Sequence, residues 1–183
     1  MKYIIALIII GILLLIACSP SPKVSNNYDV KAAEARIAQV TSEVGDTIKK
    51  IEKSEAEWKA ELSEMEFYVL RKAGTERSFS GDLWDNKKEG VYVCAGCQLP
   101  LFDSSTKYKS GTGWPSFWDS IKANHIETTT DYNIGYARTE VHCARCGGHQ
   151  GHVFKDGPQP TGLRYCINSV SLDFVEKKED TMK

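Results

Sequence analysis

Neither sign of charge dominates this sequence: 23 lysines and arginines stand against 24 aspartates and glutamates, for a formal net charge of −1 at pH 7. There is no basic stripe and no interleaving of aromatic with basic residues, so the chain offers nucleic acid no electrostatic footprint. Internal repeats and low-complexity tracts are also missing, apart from one short duplicated motif, which sets aside solenoid and fibrous architectures. Long apolar runs are scarce as well. The one present, Ile4 to Ile16, has thirteen residues, too few to span a bilayer comfortably as a mature helix. Behind the short basic head Met1-Lys2-Tyr3 it suits the core of a signal peptide.

The run ends in Leu15-Ile16-Ala17-Cys18, which resembles the bacterial lipoprotein processing box. That resemblance implies a signal peptide over 1–17, cleavage before Cys18, and lipidation of that cysteine; an uncleaved N-terminal anchor is the alternative. Either reading predicts an extracytoplasmic protein tethered to a membrane, periplasm-facing if the cell has an outer membrane. Several acyl chains hold a protein stably where one binds only marginally. Ser19 to Asn27, with two prolines, three serines and two asparagines, reads as a flexible spacer. Apolar residues then recur every seven positions at Ile37, Val44, Ile51, Trp58 and Met65, with Val40, Ile48 and Leu62 between them. This predicts an amphipathic helical stalk within a lipid-anchored segment over 18–53. Thr47, Ser54 and Glu61 at the other seam positions, and Gly45 in the middle, disfavour a coiled coil.

The segment 54–183 reads as one domain, long enough for a core. Ser54-Glu55-Ala56-Glu57 and Ser63-Glu64-Met65-Glu66 are capping boxes opening two short helices, and Gly74 is suited to end the second. Beyond it the texture turns to strand and loop, with short runs at Val91 to Val93, Ile126 to Thr130, Ile134 to Arg138, His152 to Phe154 and Arg164 to Phe174. The duplicated motif is C-x-x-C, at Cys94/Cys97 and Cys143/Cys146, with 45 residues between the pairs. Two such pairs make a four-thiolate set that fits one tetrahedral Zn²⁺, with Gly96 and Gly147 suited to the tight knuckles. Two disulfides are the competing reading, but a bridge within one C-x-x-C closes a very small loop and stabilises little.

Cys166 is then the cysteine without a structural task. It lies in an alternating stretch, Gly162 to Leu172, which predicts a strand with Arg164, Cys166 and Asn168 on one face and Tyr165 and Ile167 on the other. A guanidinium one pleat away favours the reactive thiolate, although a free cysteine is often only a small buried hydrophobe. Trp114, Phe117 and Trp118 crowd a glycine- and proline-shaped loop that can form a rigid apolar wall, Trp118 reading as ordinary core. His149 and His152 sit in a glycine-rich turn, free for acid–base work if four thiolates already complete the metal site. His142 reads as structural and His125 as exposed.

The set Cys94-x-x-Cys97, Gly113-Trp114-Pro115-Ser116-Phe117, Cys143-x-x-Cys146, His149-x-x-His152-Val153-Phe154-x-Asp156-Gly157-Pro158 and Arg164-Tyr165-Cys166-Ile167-Asn168-Ser169 resembles the B-type methionine sulfoxide reductases. The match runs in order from about Trp58 to Phe174 and includes Gly74-Thr75-Glu76-Arg77. The resemblance implies a mainly β fold of two antiparallel sheets, one structural zinc, and reduction of methionine-R-sulfoxide, free or in proteins. It also implies Cys166 as nucleophile, His149, His152 and Asn168 around the sulfoxide, and Trp114 against the substrate's methyl group. Phe117, Arg164 and Asp156 complete the candidate substrate-binding set, Asp156 orienting a histidine or a turn.

One position departs from the pattern. Many family members resemble Ser-Gly-Cys-Gly-Trp-Pro-Ser-Phe where this chain has Thr112. With four thiols on zinc and Cys18 lipidated, no resolving thiol remains, which implies direct reduction by an external, thioredoxin-like dithiol. A lipid-anchored zinc-ribbon scaffold and a general thiol peroxidase are the rival readings; the first needs neither histidine nor Cys166, and the second needs no methyl pocket.

Overall fold

The computed structural model describes residues 47–177. The apolar run, Cys18, the spacer and most of the expected stalk lie outside them. The described end of that stalk, 47–53, carries no helix. Ile48 and Ile51 instead pack on the core, and the Ile51 amide donates to the Arg145 carbonyl at 2.8 Å. Ile48 and Ile51 therefore lie in an arm laid across the domain, tertiary contacts overriding the local period.

Both capping boxes form. In helix α1 (Glu55–Glu61) the Ser54 side chain accepts from the Glu57 amide while the Glu57 carboxylate accepts from the Ser54 amide; Ser63 and Glu66 do the same for α2 (Glu64–Lys72). Each box satisfies two otherwise orphaned amides, which is what lets helices this short persist. They bury Trp58, Phe67, Val69 and Leu70. Gly74 does not supply the left-handed stop of α2: Ala73 does, at φ 52°, and the Gly74 amide closes the end on the Tyr68 carbonyl at 3.0 Å.

Nine strands follow among the described residues, in two antiparallel sheets, as the family resemblance implied. The smaller has the order β2 (Pro100–Asp103), β1 (Gly90–Cys94), β9 (Leu172–Glu176). The larger runs β3 (Lys107–Tyr108), β4 (Ser116–Phe117), β8 (Arg164–Ile167), β7 (His149–Phe154), β6 (Arg138–Cys143), β5 (Ile126–Asp131). Of the expected runs, Ile134 to Tyr136 is not strand but the tip of the β5–β6 hairpin. The stretch after Gly162 is not one strand either, because a 3₁₀ turn at Ser169–Ser171 separates β8 from β9 and carries the chain from the larger sheet to the smaller.

The core lies between the sheets and under the helices. The rings of Phe102 and Phe117 stack at 4.4 Å, with Tyr92 edge-on to Phe117 at 4.9 Å. Phe117 is fully buried there, so it supports the fold and does not face substrate. His125, expected at the surface, is likewise fully buried, its Nδ1 donating to the Pro100 carbonyl at 2.6 Å.

Cys94, Cys97, Cys143 and Cys146 meet at one end of the core with their sulfurs all within 4.8 Å of one another. The Cys94–Cys146 and Cys97–Cys143 separations are 3.7 and 3.4 Å, and a tetrahedron with Zn–S bonds of about 2.3 Å has sulfurs roughly 3.8 Å apart. No disulfide forms among them. The two knuckles close alike: the Gln98 amide donates to the Cys94 carbonyl at 2.7 Å and the Gly147 amide to the Cys143 carbonyl at 2.8 Å. The residue after each pair turns left-handed, Gly147 at φ 67° and Gln98 at φ 62°, so Gln98 takes the place expected of Gly96. The donor set fits zinc, which would join the end of β1 to the end of β6. Purified protein is expected to contain about one zinc per chain. Cys97→Ser should lose the metal and its near-ultraviolet circular dichroism together, since structural zinc supplies roughly 10–16 kcal/mol of apparent binding energy in small peptides; a metal-free protein with native spectra would refute the assignment.

Candidate active site

Strand register assembles the candidate residues. Across the larger sheet Thr129 pairs with Glu140, Glu140 with His152, His152 with Cys166, Cys166 with Ser116, and Ser116 with Tyr108. Directly paired residues share a face, so a thiol and an imidazole stand side by side in one polar row. Tyr165 and Ile167 turn to the opposite, core-facing side, as alternation predicts. Gly151 allows this register: it lies at φ 155°, and a Cβ there would sit 2.1 Å from the Cys166 carbonyl oxygen.

Asn168 leaves the row. It caps the 3₁₀ turn, its Oδ1 accepting from the Glu76 amide at 3.1 Å and its Nδ2 donating to the Gln150 carbonyl at 3.0 Å. Both ends of its amide thus hold backbone. Its place is beside the reactive strand rather than on it.

The loop before β4 covers the row. Thr112 Oγ1 lies 3.8 Å from Cys166 Sγ and 2.9 Å from Ser110 Oγ. The Trp114 indole is half-buried and donates from Nε1 to the Glu76 carbonyl at 3.2 Å. Trp118, read as core, is only half-buried. Glu76 is a hub that residue-level reading missed. Beyond the bonds to Asn168 and Trp114, its carboxylate accepts from the Ser169 and Val170 amides. Burial pushes that carboxyl up from its usual range, against the pull of those two amides. The charged residue within Gly74-Thr75-Glu76-Arg77 was visible, but nothing in the sequence ties it to the turn after Cys166.

Two acidic residues orient the histidines. His152 donates from Nε2 to Asp131 Oδ2 at 2.9 Å, and Arg138 holds the same carboxylate. The Asn133 amide, His152 and Arg138 together hold Asp131 down at about 2. His149, almost fully buried, bonds through Nδ1 to Glu140 Oε1 at 2.5 Å, while its Nε2 has no partner among the described residues. Burial lowers its pKa against the opposing Glu140. His142, read as structural, joins the same cluster, its Nε2 3.4 Å from Glu140 and 3.1 Å from Thr129 Oγ1. Asp131, Arg138 and Glu140 carry no motif spacing toward the histidines; only sheet pairing reveals them.

Asp156 orients neither a histidine nor a turn. It grips Arg164 with both oxygens, at 2.8 Å to Nε and 2.8 Å to Nη2. Burial pushes the Cys166 thiol up from its ordinary value; the Thr112 hydroxyl and then Arg164 pull it down, and Asp156 adds to the rise. The expected thiolate-favouring effect of Arg164 is real, but desolvation outweighs it in the free protein. Alkylation of Cys166 by iodoacetamide, followed on its own peptide by mass spectrometry, should therefore rise with pH around a midpoint above that of an ordinary thiol. Thr112→Val and Arg164→Met should each move it higher still. A midpoint below the ordinary value would contradict the balance described.

A family model described as SelR domain matches residues 62–176. Proteins called peptide methionine sulfoxide reductase MsrB are similar over most of the chain. Those of Methanosarcina mazei, Thiobacillus denitrificans and Agrobacterium fabrum are 57%, 54% and 48% identical over 134, 125 and 128 residues. The alignments cover 73%, 68% and 70% of this chain and 95% of each relative. A two-sheet domain with a four-cysteine cluster, a thiol paired with a histidine, and this breadth of identity place the chain in the SelR-domain, B-type methionine sulfoxide reductase family.

Proposed function

We propose that this chain reduces methionine-R-sulfoxide, free or in proteins, to methionine, with Cys166 as the nucleophile. The observation that carries the reading is the cross-strand pairing of Cys166 with His152 beneath the loop that bears Trp114. A sulfoxide is a poor electrophile until its oxygen takes a proton, and a positioned imidazole is the natural donor as the thiolate attacks sulfur. The Cys166 thiolate, the sulfoxide and one proton yield a Cys166 sulfenic acid and the thioether methionine. An external dithiol then returns the thiol, releasing water and leaving as its own disulfide. Asp131 fixes the ring of His152, and Glu140 that of His149. Trp114, pinned through its indole nitrogen, offers an apolar face for the ε-methyl, so oxygen and methyl would be held on different sides of the sulfur.

Asn168, Arg164 and Asp156 act at one remove in this reading. The first secures the turn leaving the reactive strand, and the other two set charge beside Cys166. Zinc on the four cysteines stabilises the domain and takes no part in the chemistry.

Thr112 occupies the place where a resolving thiol would touch Cys166. Cys166→Ser should abolish reduction of the R epimer with the fold intact, while His152→Ala should slow it by about 10²–10⁴-fold. After one turnover without reductant, wild-type protein should carry a trappable sulfenic acid on Cys166, whereas Thr112→Cys should carry a disulfide between positions 112 and 166. Activity in Cys166→Ser, or an internal disulfide in the unaltered protein, would show that another thiol does the work.

The N-terminal pattern supports an extracytoplasmic, membrane-anchored lipoprotein that repairs oxidised proteins there and draws electrons from a thioredoxin-like partner. In cells, Cys18→Ala should shift the protein from the membrane to the soluble fraction and remove acyl labelling. Labelling that survives the substitution would count against the processing box.

A further inference from the structure

Behind the loop that touches Cys166 lies a cavity of about 360 Å³, walled by Phe79, Trp84, Tyr108, Lys109 and the loop residues Gly111 and Gly113. Three features set it apart from an incidental hollow. Phe79 holds a left-handed backbone at φ 63° and leaves its ring 55% exposed. A bulky residue pays in strain for that conformation, and such strain gathers where a surface is used. Its amide donates to the Gly113 carbonyl at 2.8 Å, its ring meets Trp84 edge-on at 5.2 Å, and a Cβ on Gly113 would sit 2.7 Å from that ring. The aromatic wall and the active-site loop are therefore fitted to each other.

The second feature is continuity. Tyr108 stands at the end of the row that contains Cys166, two pairings along through Ser116, and feels the charges of Arg164, Asp156 and Cys166. The third is polarity. The Tyr108 hydroxyl is buried without a hydrogen-bond partner, and exposed Lys109 has no ion-pair or hydrogen-bond partner among the described residues. Around them, Lys107 donates to the Trp84 and Asn86 carbonyls with no carboxylate bonded to it, Lys88 pairs with Glu176, and Lys87 lies 3.7 Å from Asp85. Asp85 also lines the cavity and acts on Lys107, so its one carboxylate offsets part of the charge of Lys87 and Lys107 and the balance, with Lys109, stays positive beside an apolar wall.

We propose that this cavity is a subsite for an acidic side chain flanking the oxidised methionine of a polypeptide substrate. Its methylenes would lie on Phe79 and Trp84, and its carboxylate would accept from the exposed Lys109. The inference rests on the reductase reading above and adds a preference among its substrates. An exposed pair of this kind is modest in strength, which suits a preference rather than a requirement.

The test uses blocked peptides carrying methionine-R-sulfoxide with Glu, Gln or Lys at the two positions on either side, and N-acetyl-methionine-R-sulfoxide as the minimal substrate. Dithiothreitol serves as reductant throughout, at low salt. The best-placed Glu peptide should show a KM about twofold to fivefold below its Lys counterpart, with kcat unchanged. Lys109→Glu should erase or reverse that order, and Phe79→Ala should raise KM for all the peptides. Lys109→Glu should leave kcat/KM for the N-acetyl substrate unchanged. Equal KM values across the wild-type series would overturn the subsite, as would a Lys109→Glu effect of equal size on the N-acetyl substrate. If the variants act only when a thioredoxin-like protein replaces dithiothreitol, the surface serves the reductant and the inference fails while the reductase reading stands. No turnover of either the peptides or the N-acetyl substrate by wild-type protein would overturn both.

Discussion

The closure of two sheets over four sulfurs is the constraint on which the rest depends. Cys94 ends β1 of the smaller sheet, and Cys143 ends β6 of the larger. Gln150 extends the closure toward the reactive strand: its side chain donates to Cys94 Sγ at 3.4 Å, and its carbonyl accepts from the Asn168 amide at 2.8 Å. On the other side, the Ala95 amide of the first knuckle donates to the Ser171 carbonyl at 3.0 Å, in the turn that follows Cys166. The cluster and Cys166 are thus joined on both sides of that turn, through Gln150 on one and through backbone on the other. A metal held by these sulfurs would govern the site without taking part in its chemistry, because the geometry around Cys166 is only as fixed as the sheets it would bridge.

Within that frame the thiol sits under opposed influences. Burial disfavours its ionised form, whereas Thr112 and Arg164 favour it. The Asp156 fork both orients the guanidinium and offsets part of its charge, so Arg164 delivers less than a bare cation would. The histidines are held by separate carboxylates, Asp131 for His152 and Glu140 for His149. Keeping the two rings on different anchors lets each be aimed independently, although the rings are only 5.6 Å apart.

What could be read in advance follows the range of the forces involved. The capping boxes and the paired cysteines are signals complete within four residues, and each formed as expected. The parity of β8 was legible too, because alternation is local. Asn168 was misplaced because the 3₁₀ turn breaking the alternation is held by Glu76, 93 residues away from Ser169 in sequence. Phe117 was placed against substrate for want of strand pairing: only its alignment with Tyr165 shows that it shares the core face. Ile48 and Ile51 kept a helical period yet serve an extended arm, since burial rewards apolar side chains in either conformation. The same limit hid Asp131 and Glu140, whose meaning lies entirely in the neighbouring strands.

Position 112 shows what this chain keeps and what it hands to a partner. A cysteine there could resolve the sulfenic acid at an effective molarity no soluble thiol reaches. Threonine cannot, but its hydroxyl lies 3.8 Å from Cys166 Sγ and lowers the pKa of the buried thiol. The loop therefore still helps to prepare the thiol, while in the proposed reading regeneration comes from outside. On that reading the surface around Cys166 would have to admit a reductant after admitting a substrate. A half-buried Cys166, rather than one sealed like Cys94 or Cys143, meets both demands, and the thiolate lost to partial burial is what Thr112 and Arg164 partly restore.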